Sequence, residues 1–256
     1  MSRRRPKWFL PVLLLSFLIT ALIVGISVFS KWRKYQKAAS THYPEFGIMI
    51  PDDYLIHGID VSKYQDIIAW EEVKKMKVGN VSLGFSYIKA TEGLSNVDAR
   101  YERNWKKAKD AGLYRGAYHF FIASKDGKMQ ARHFIDQVDL QPGDLPPVLD
   151  IEQLNGVKPA ELRKEALAFL QVLEEYYKVK PVVYTNVEFY DRYLGHPFDQ
   201  YPLWVAHYYQ PGEPRIGRGW SLWQHNDEGS VNGIRTRVDF NVFNGDSLMF
   251  REFLIK

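Results

Sequence analysis

The hydropathy pattern opens on a stretch without a single charge, FLPVLLLSFLITALIVGISVF at residues 9–29. As a helix, 21 residues without a charge cross the ~30 Å hydrocarbon core of a bilayer. Pro11 falls in the first turn, where a missing N–H costs least. Arg3, Arg4, Arg5 and Lys7 precede the stretch, Trp8 marks an interface, and Lys31, Arg33, Lys34 and Lys37 follow. A cleaved signal peptide has a shorter apolar core and ends in a small-x-small site. Val28-Phe29-Ser30-Lys31-Trp32 makes a poor site, so the pattern predicts a retained transmembrane signal-anchor. The basic flanks tie at four each. The first flank usually dominates, which places the N-terminus inside and the large remainder outside. The chain then divides into a cytoplasmic tail at 1–8, the anchor at 9–29, a polar linker at 30–52 and a globular domain at 53–256.

Beyond the linker, short apolar runs alternate with amphipathic stretches. Strand-like runs lie at 56–61, 81–90, 114–121, 145–151 and 181–185. Between and after them come helical patterns at 68–76, 101–111, 127–138 and 159–177, with a weaker one at 187–194. Gly112 stands just past one helix, and Pro159 near the start of another. Then the character changes. Strand-like runs at 203–206, 221–224 and 237–240 follow without long helices between them. Five βα units and three further strands predict an α/β fold built on a parallel sheet, with the eight strands forming a TIM-like barrel trimmed of its last helices.

Composition adjusts this picture in three ways. Aromatic residues make up 15% of the chain, with 7 Trp, 16 Tyr and 15 Phe. Such rings fill cores, and they also stack on sugars. With no cysteine, thiolate catalysis, disulfides and Cys-ligated zinc are excluded. The net charge of +4 belongs to the N-terminal segment: residues 1–40 hold eight of the 34 basic residues and none of the 30 acidic ones. The remainder is therefore mildly acidic, without the basic face that nucleic-acid binding needs.

In parallel barrels the active site gathers at the C-terminal ends of the strands. Asp60 ends the first strand, Asp150 and Glu152 the fourth, and Asp239 sits on the eighth. Residues i and i+2 of a strand share a face, about 6–7 Å apart along it. Asp150 and Glu152 therefore crowd each other, and one pKa must rise. A carboxylic acid still protonated near neutral pH is what glycosidic cleavage requires, and Glu152, with the longer reach, is the expected acid. Taken singly, a D-x-E triplet is common on solvated loops, Asp60 could cap the next segment, and Asp239 could pair with Arg235 or Arg237. The combination points to a site. Lys89, Tyr118, Tyr184, Trp204 and Gln224 end or lie on other strands and are expected to line a sugar cleft. His119 and His207 lack metal-ligand spacing, so neither a metal nor another cofactor is expected.

The stretches HGIDVSKYQ (57–65), FSYIKATEG (85–93), GAYHFF (116–121), PPVLDIE (146–152), VVYTN (182–186), LWVAHY (203–208), LWQH (222–225) and VDFNVF (238–243) together resemble the family 25 glycoside hydrolases, bacterial and phage-type muramidases. The resemblance implies a (β/α)5(β)3 barrel. It also implies hydrolysis of the β-1,4 bond between N-acetylmuramic acid and N-acetylglucosamine in peptidoglycan glycan strands. Glu152 matches the family's general acid and Asp150 the carboxylate that assists the 2-acetamido group. Asp60 and Asp239 match two further acids of the site. A retaining, substrate-assisted route and an inverting displacement both stay open. So do a non-catalytic glycan-binding barrel and a hydrolase of another amino-sugar polymer such as chitin. The catalytic domain is expected to act as a monomer, tethered on the outer side of the cytoplasmic membrane.

Overall fold

The computed structural model describes the backbone of residues 9–37 and 40–256 and, within the first helix, the side chains of residue 12 and residues 14–29. The tail expected at 1–8 lies outside the described residues. Helix α1 spans Phe9–Lys37, so the chain stays helical beyond the expected end at residue 29. Leu14, Leu15, Phe17, Leu18, Leu22 and Ile23 are all exposed on it. Among the described residues no helix is long and apolar enough to cross a membrane. The continuous run of described side chains in α1, 14–29, is shorter than the ~20 residues such a span needs.

Residues 40–51, expected as part of a polar linker, instead form a hairpin of two antiparallel strands, Ser40–Tyr43 and Ile48–Pro51. Its turn closes through Gly47 N–H donating to the Tyr43 carbonyl, with Gly47 at φ +70°. Phe46, Ile48 and Ile50 are buried, and the Phe46 ring meets that of Phe240 edge-on at 5.3 Å. The apolar signal was only the short run Phe46–Ile50 beside Pro44, Glu45 and Pro51, too short to stand out from a linker.

The barrel strands are β1 (His57–Val61), β2 (Val81–Glu92), β3 (Tyr114–Phe120), β4 (Val148–Asp150), β5 (Val182–Asn186), β6 (Leu203–Ala206), β7 (Leu222–Gly229) and β8 (Val238–Phe243). They pair in sequence order, and β8 closes the ring by pairing with β1. From β1 to β7 all neighbours are parallel. The last strand differs from the parallel expectation, being antiparallel to both β7 and β1. The hairpin connection explains this: 230–237 is too short for a crossover, which parallel pairing demands.

Helices α2 (Trp70–Lys75), α3 (Tyr101–Asp110), α4 (Gly127–Gln137) and α5 (Pro159–Tyr177) cover the barrel after strands one to four. The fifth crossover is short: α6 (Val187–Phe189) runs into a π-helical turn at Tyr190–Leu194. Strand β4 begins later than the apolar run suggests. Pro146 and Pro147 cannot donate to a ladder, so regular pairing starts at Val148.

Inside the barrel, Phe85 and Tyr87 of β2, Trp204 of β6 and Leu222 of β7 are buried, and Tyr87 stacks on Trp204 at 4.8 Å. Glycines make room for these rings. A Cβ on Gly58 would lie 2.5 Å from the Phe85 ring, and one on Gly116 2.2 Å from Tyr87. An unanticipated helix, α7 (Ser247–Phe253), closes the end opposite the site. Asp246 caps it by accepting from the N–H groups of Leu248 and Met249, and Phe250 packs on Phe85 and Phe243.

Candidate active site

At the C-terminal rim of the parallel strands lies a cleft of about 300 Å³. Asp60, Lys89, Tyr118, Asp150, Glu152, Tyr184, Trp204, Gln224 and Asp239 all line it, so every residue expected from the sequence meets in one place.

The first pair of acids stands at the end of β4. Asp150 is its last residue, opposite Phe120 of β3 and Tyr184 of β5. Glu152 lies beyond the regular strand, but Ile151 N–H still donates to the Tyr184 carbonyl at 3.0 Å, which holds the extended course. The i, i+2 geometry survives, and both carboxyls face the cleft. Asp150 is buried, and its Oδ1 has no hydrogen-bond partner. Burial lifts its pKa well above the usual carboxylate range, and the neighbouring Glu152 charge lifts it further. Glu152 is also raised by burial, while hydrogen bonds from Asp150 and Tyr184 oppose the rise. Both shifts favour a protonated carboxyl in this pair. The sequence argument expected crowding to raise one pKa of the pair; both rise, with burial as the first cause.

A second pair faces it. Asp239 lies directly opposite Asp60 across the β8–β1 ladder. Because β8 runs backwards, its beginning reaches the rim that the other strands reach with their ends. Asp60 Oδ2 accepts from Gln224 Nε2 at 2.8 Å and from Asn241 Nδ2 at 2.7 Å. Burial pushes Asp60 up to about 7 against the pull of these amides. Burial and then the Asp60 charge push Asp239 up to about 9. Arg237 is not its partner: the guanidinium donates to the Glu228 carbonyl and to Ser230 Oγ.

The supporting side chains are fixed in turn. Gln224 Oε1 accepts from Tyr184 at 2.6 Å and from Tyr208 at 2.8 Å, which turns its amide nitrogen towards Asp60. Trp204 Nε1 donates to Asn241 Oδ1 at 2.8 Å and orients that amide likewise. Gln224 and Trp204, expected to touch sugar, are each 2% exposed and spend their polar groups inside the protein. Lys89 pairs with Glu92 at 2.6 Å and lies 4.6 Å from the centre of the Phe120 ring. Tyr118 is half-buried, and burial holds its phenol protonated.

Tyr64, Gln65 and Tyr208 also line the cleft and were not singled out from the sequence, although all three fall inside the quoted motifs. Ser62 and Gln65 form a capping box around Lys63–Gln65, which leaves Tyr64 73% exposed at the rim. His119 is a buried pin: one ring nitrogen meets Thr91 Oγ1 at 2.7 Å, the other Gln130 Oε1 at 3.2 Å. His207 Nδ1 accepts from the Arg215 N–H. Among the described residues no group of three or more His, Cys, Asp or Glu could hold a metal ion.

Comparison with known proteins agrees with this geometry. The model of the glycosyl hydrolases of family 25 matches residues 59–234. An uncharacterized Escherichia coli K12 protein, YegX, is 46% identical over 200 residues, covering 78% of this chain and 74% of its own. Lysozyme M1 of Streptomyces globisporus is 33% identical, over 75% of this chain and 69% of its own. Among solved structures, a family 25 glycosyl hydrolase from Bacillus anthracis superposes with a TM-score of 0.74 at 33% identity, covering 84% of this chain and 99% of that one.

Proposed function

The chain belongs to glycosyl hydrolase family 25 and is a glycoside hydrolase that acts on peptidoglycan; from that premise we propose that it cuts the β-1,4 bond between N-acetylmuramic acid and N-acetylglucosamine. The observation that carries the proposal is the cleft with its two facing pairs of carboxyls, in which Asp60 and Asp150 are buried and Glu152 and Asp239 half-buried. The relative named lysozyme supports the substrate.

In the proposed reaction Glu152 protonates the leaving oxygen. Burial keeps a proton in the Asp150–Glu152 pair, and Glu152 must hold it when the glycosidic oxygen arrives. When the 2-acetamido N–H of the sugar donates to Asp150, that carboxyl is favoured as the anion, and Glu152 holds the proton. The acetamido oxygen then attacks the anomeric carbon and displaces the leaving sugar. Asp150 stabilises the resulting oxazolinium charge, and Glu152, now the anion, takes a proton from the water that opens the ring. This route retains configuration and uses the substrate as nucleophile. Asp60 and Asp239 shape the field of the cleft from the opposite wall.

Glu152→Gln cannot supply the proton and should lose at least about 10²-fold in turnover while still binding glycan. Mass spectrometry of muropeptides released by the full-length protein, wild type beside variant, checks this. Comparable product from both would remove Glu152 from its role, and products from chitin alone would move the activity to another polymer.

The charge-free stretch 9–29 supports a retained anchor in the cytoplasmic membrane, with the catalytic domain on the periplasmic or cell-surface side as a monomer.

A further inference from the structure

Next to the cleft lies a second cavity, of about 400 Å³, within the range of small-ligand sites. One wall is the N-terminal hairpin, with His42, Met49 and Pro51; the other is formed by Tyr209–Pro211 and by His225, Asn226 and Glu228. The hairpin lies outside the region matched by the family model.

Two neighbouring pairs of residues set the cavity against the cleft. Gln224 lines the cleft and His225 the cavity, as alternation along β7 requires. Tyr208 lines the cleft and Tyr209 the cavity, their ring centres 6.2 Å apart. Tyr209 adopts φ +56°, a left-handed backbone that a bulky residue avoids. The conformation is held by its N–H donating to the His225 carbonyl and its hydroxyl to Asp227. Strain of this kind persists where the surroundings over-determine it. The exposed ring is thereby held at the cavity mouth.

His225 is 3% exposed, yet among the described residues its Nε2 has no partner. A buried ring nitrogen without a partner costs free energy unless a ligand or water satisfies it. Burial depresses its pKa to about 3, so the ring is neutral and can exchange a hydrogen bond with an uncharged group. The other lining chemistry agrees. Asn226 and Gln210 offer amides, Met49 and Pro211 apolar contact, and Tyr209 a ring face. Among the described residues no Lys or Arg lines the cavity, and Glu228 does, which disfavours the carboxylates of a stem peptide.

We propose that this cavity is a distal sugar subsite, holding an uncharged N-acetylhexosamine unit of the glycan strand whose neighbouring units occupy the cleft. The proposal rests on the muramidase reading for the identity of the strand. Tyr208 and Tyr209 are consecutive, so in this proposal the strand leaves the cleft over Tyr208 and crosses Tyr209 to reach the cavity, one wall of which is the hairpin. Long strands therefore gain contacts that short oligosaccharides miss.

The test uses full-length Glu152→Gln protein with ¹⁵N-labelled histidine, titrated with peptide-stripped glycan strands and, separately, with a tetrasaccharide of the same repeat. Stripped strands should shift the His225 ring nitrogens, and the tetrasaccharide should bind without doing so. In the otherwise wild-type protein, Met49→Arg and Tyr209→Asn should raise KM for stripped strands about tenfold relative to KM for the tetrasaccharide. Asn suits the left-handed backbone, so that variant keeps the loop. Saturation of the cleft with His225 unmoved, or an equal rise of KM at both lengths, overturns the subsite and leaves the muramidase reading intact. A response that needs intact stem peptides overturns the sugar assignment. A His225 shift in a protein whose wild type releases no muropeptide keeps the cavity and removes the proposed activity.

Discussion

At the scale of single residues, the acids of the cleft set how stability depends on pH. Asp60 and Asp239 titrate near 7 and 9 in the folded protein and near 3.8 when unfolded. Raised acids bind protons more tightly in the native state. Their contribution is complete below the unfolded value and is lost as pH climbs through the folded ones. The buried histidines work in the opposite direction: His57, His119 and His225 are depressed to about 4, 3 and 3, chiefly by burial. Their contribution is complete above the unfolded value of 6.5 and fades as pH falls. Between pH 4 and 6.5 the two sets offset each other, and above 6.5 the acids act alone. Melting temperature should therefore fall steadily from pH 6.5 to 9. Asp239→Asn removes the titration and its opposition to the fold, so at pH 9 it should melt a few degrees higher, at about 2–4 °C per kcal/mol for a domain of this size. It should also lose activity, the usual exchange at a site built from strained charges. A flat wild-type profile across that window would show that these carboxyls are not held protonated.

At the scale of elements, much of the barrel was legible. Strand positions came from short apolar runs, and the boundaries of α5 and β6 agree to the residue. The cleft was legible because strand ends carry chemistry and Asp150 and Glu152 keep the alternation of an extended chain. Other features had no local signal. The reversal of β8 depends on a short connection meeting a closed ring, which no window of sequence contains, yet Asp239 still arrives at the right rim. The partners of Gln224 and Trp204 are likewise distant in the chain, so their inward role could not be read from their neighbours. That both Asp150 and Glu152 are raised follows from depth of burial, which sequence spacing does not report. The glycines of β1 and β3 show a further dependence between elements, since each gives its space to an aromatic ring on β2. A methyl on Gly116 would lie 2.2 Å from Tyr87 and 2.9 Å from Leu145 Cβ. Tyr87 is wedged against Trp204 and cannot withdraw. Gly116→Ala should destabilise by about 1–3 kcal/mol, the cost of overpacking. It should also lower activity through Trp204, Asn241 and Asp60, the chain of contacts that runs from the barrel floor to the cleft. Denaturant unfolding and glycan release, measured on one preparation, check both. Full stability in the variant would mean that the barrel interior is more open than its packing implies.

At the scale of the whole molecule, the hairpin decides where the folded unit begins. It is continuous with the barrel: the Ser230 N–H donates to the Phe46 carbonyl at 2.8 Å, and Phe46 lies at 0% exposure against Phe240 of β8. Phe240 stands next to Asp239, so the hairpin buttresses the strand that carries one of the cleft acids. A chain beginning at residue 53 would expose Phe240 and lose Phe46, Ile48 and Ile50 together. Phe46→Ala alone should cost about 3 kcal/mol, the lower end for a buried phenylalanine because the site lies near the edge of the core. Limited proteolysis of the full-length protein in detergent gives a direct measurement. If residues 9–29 form an anchor, intact protein should need detergent to stay in solution. Cleavage between α1 and the hairpin should release a soluble fragment that retains its melting temperature and its activity on dissolved glycan. Cleavage after the hairpin should give a fragment that melts lower and turns over less. Equal stability of the two fragments would make the hairpin a linker after all, and a detergent-free intact protein would remove the anchor.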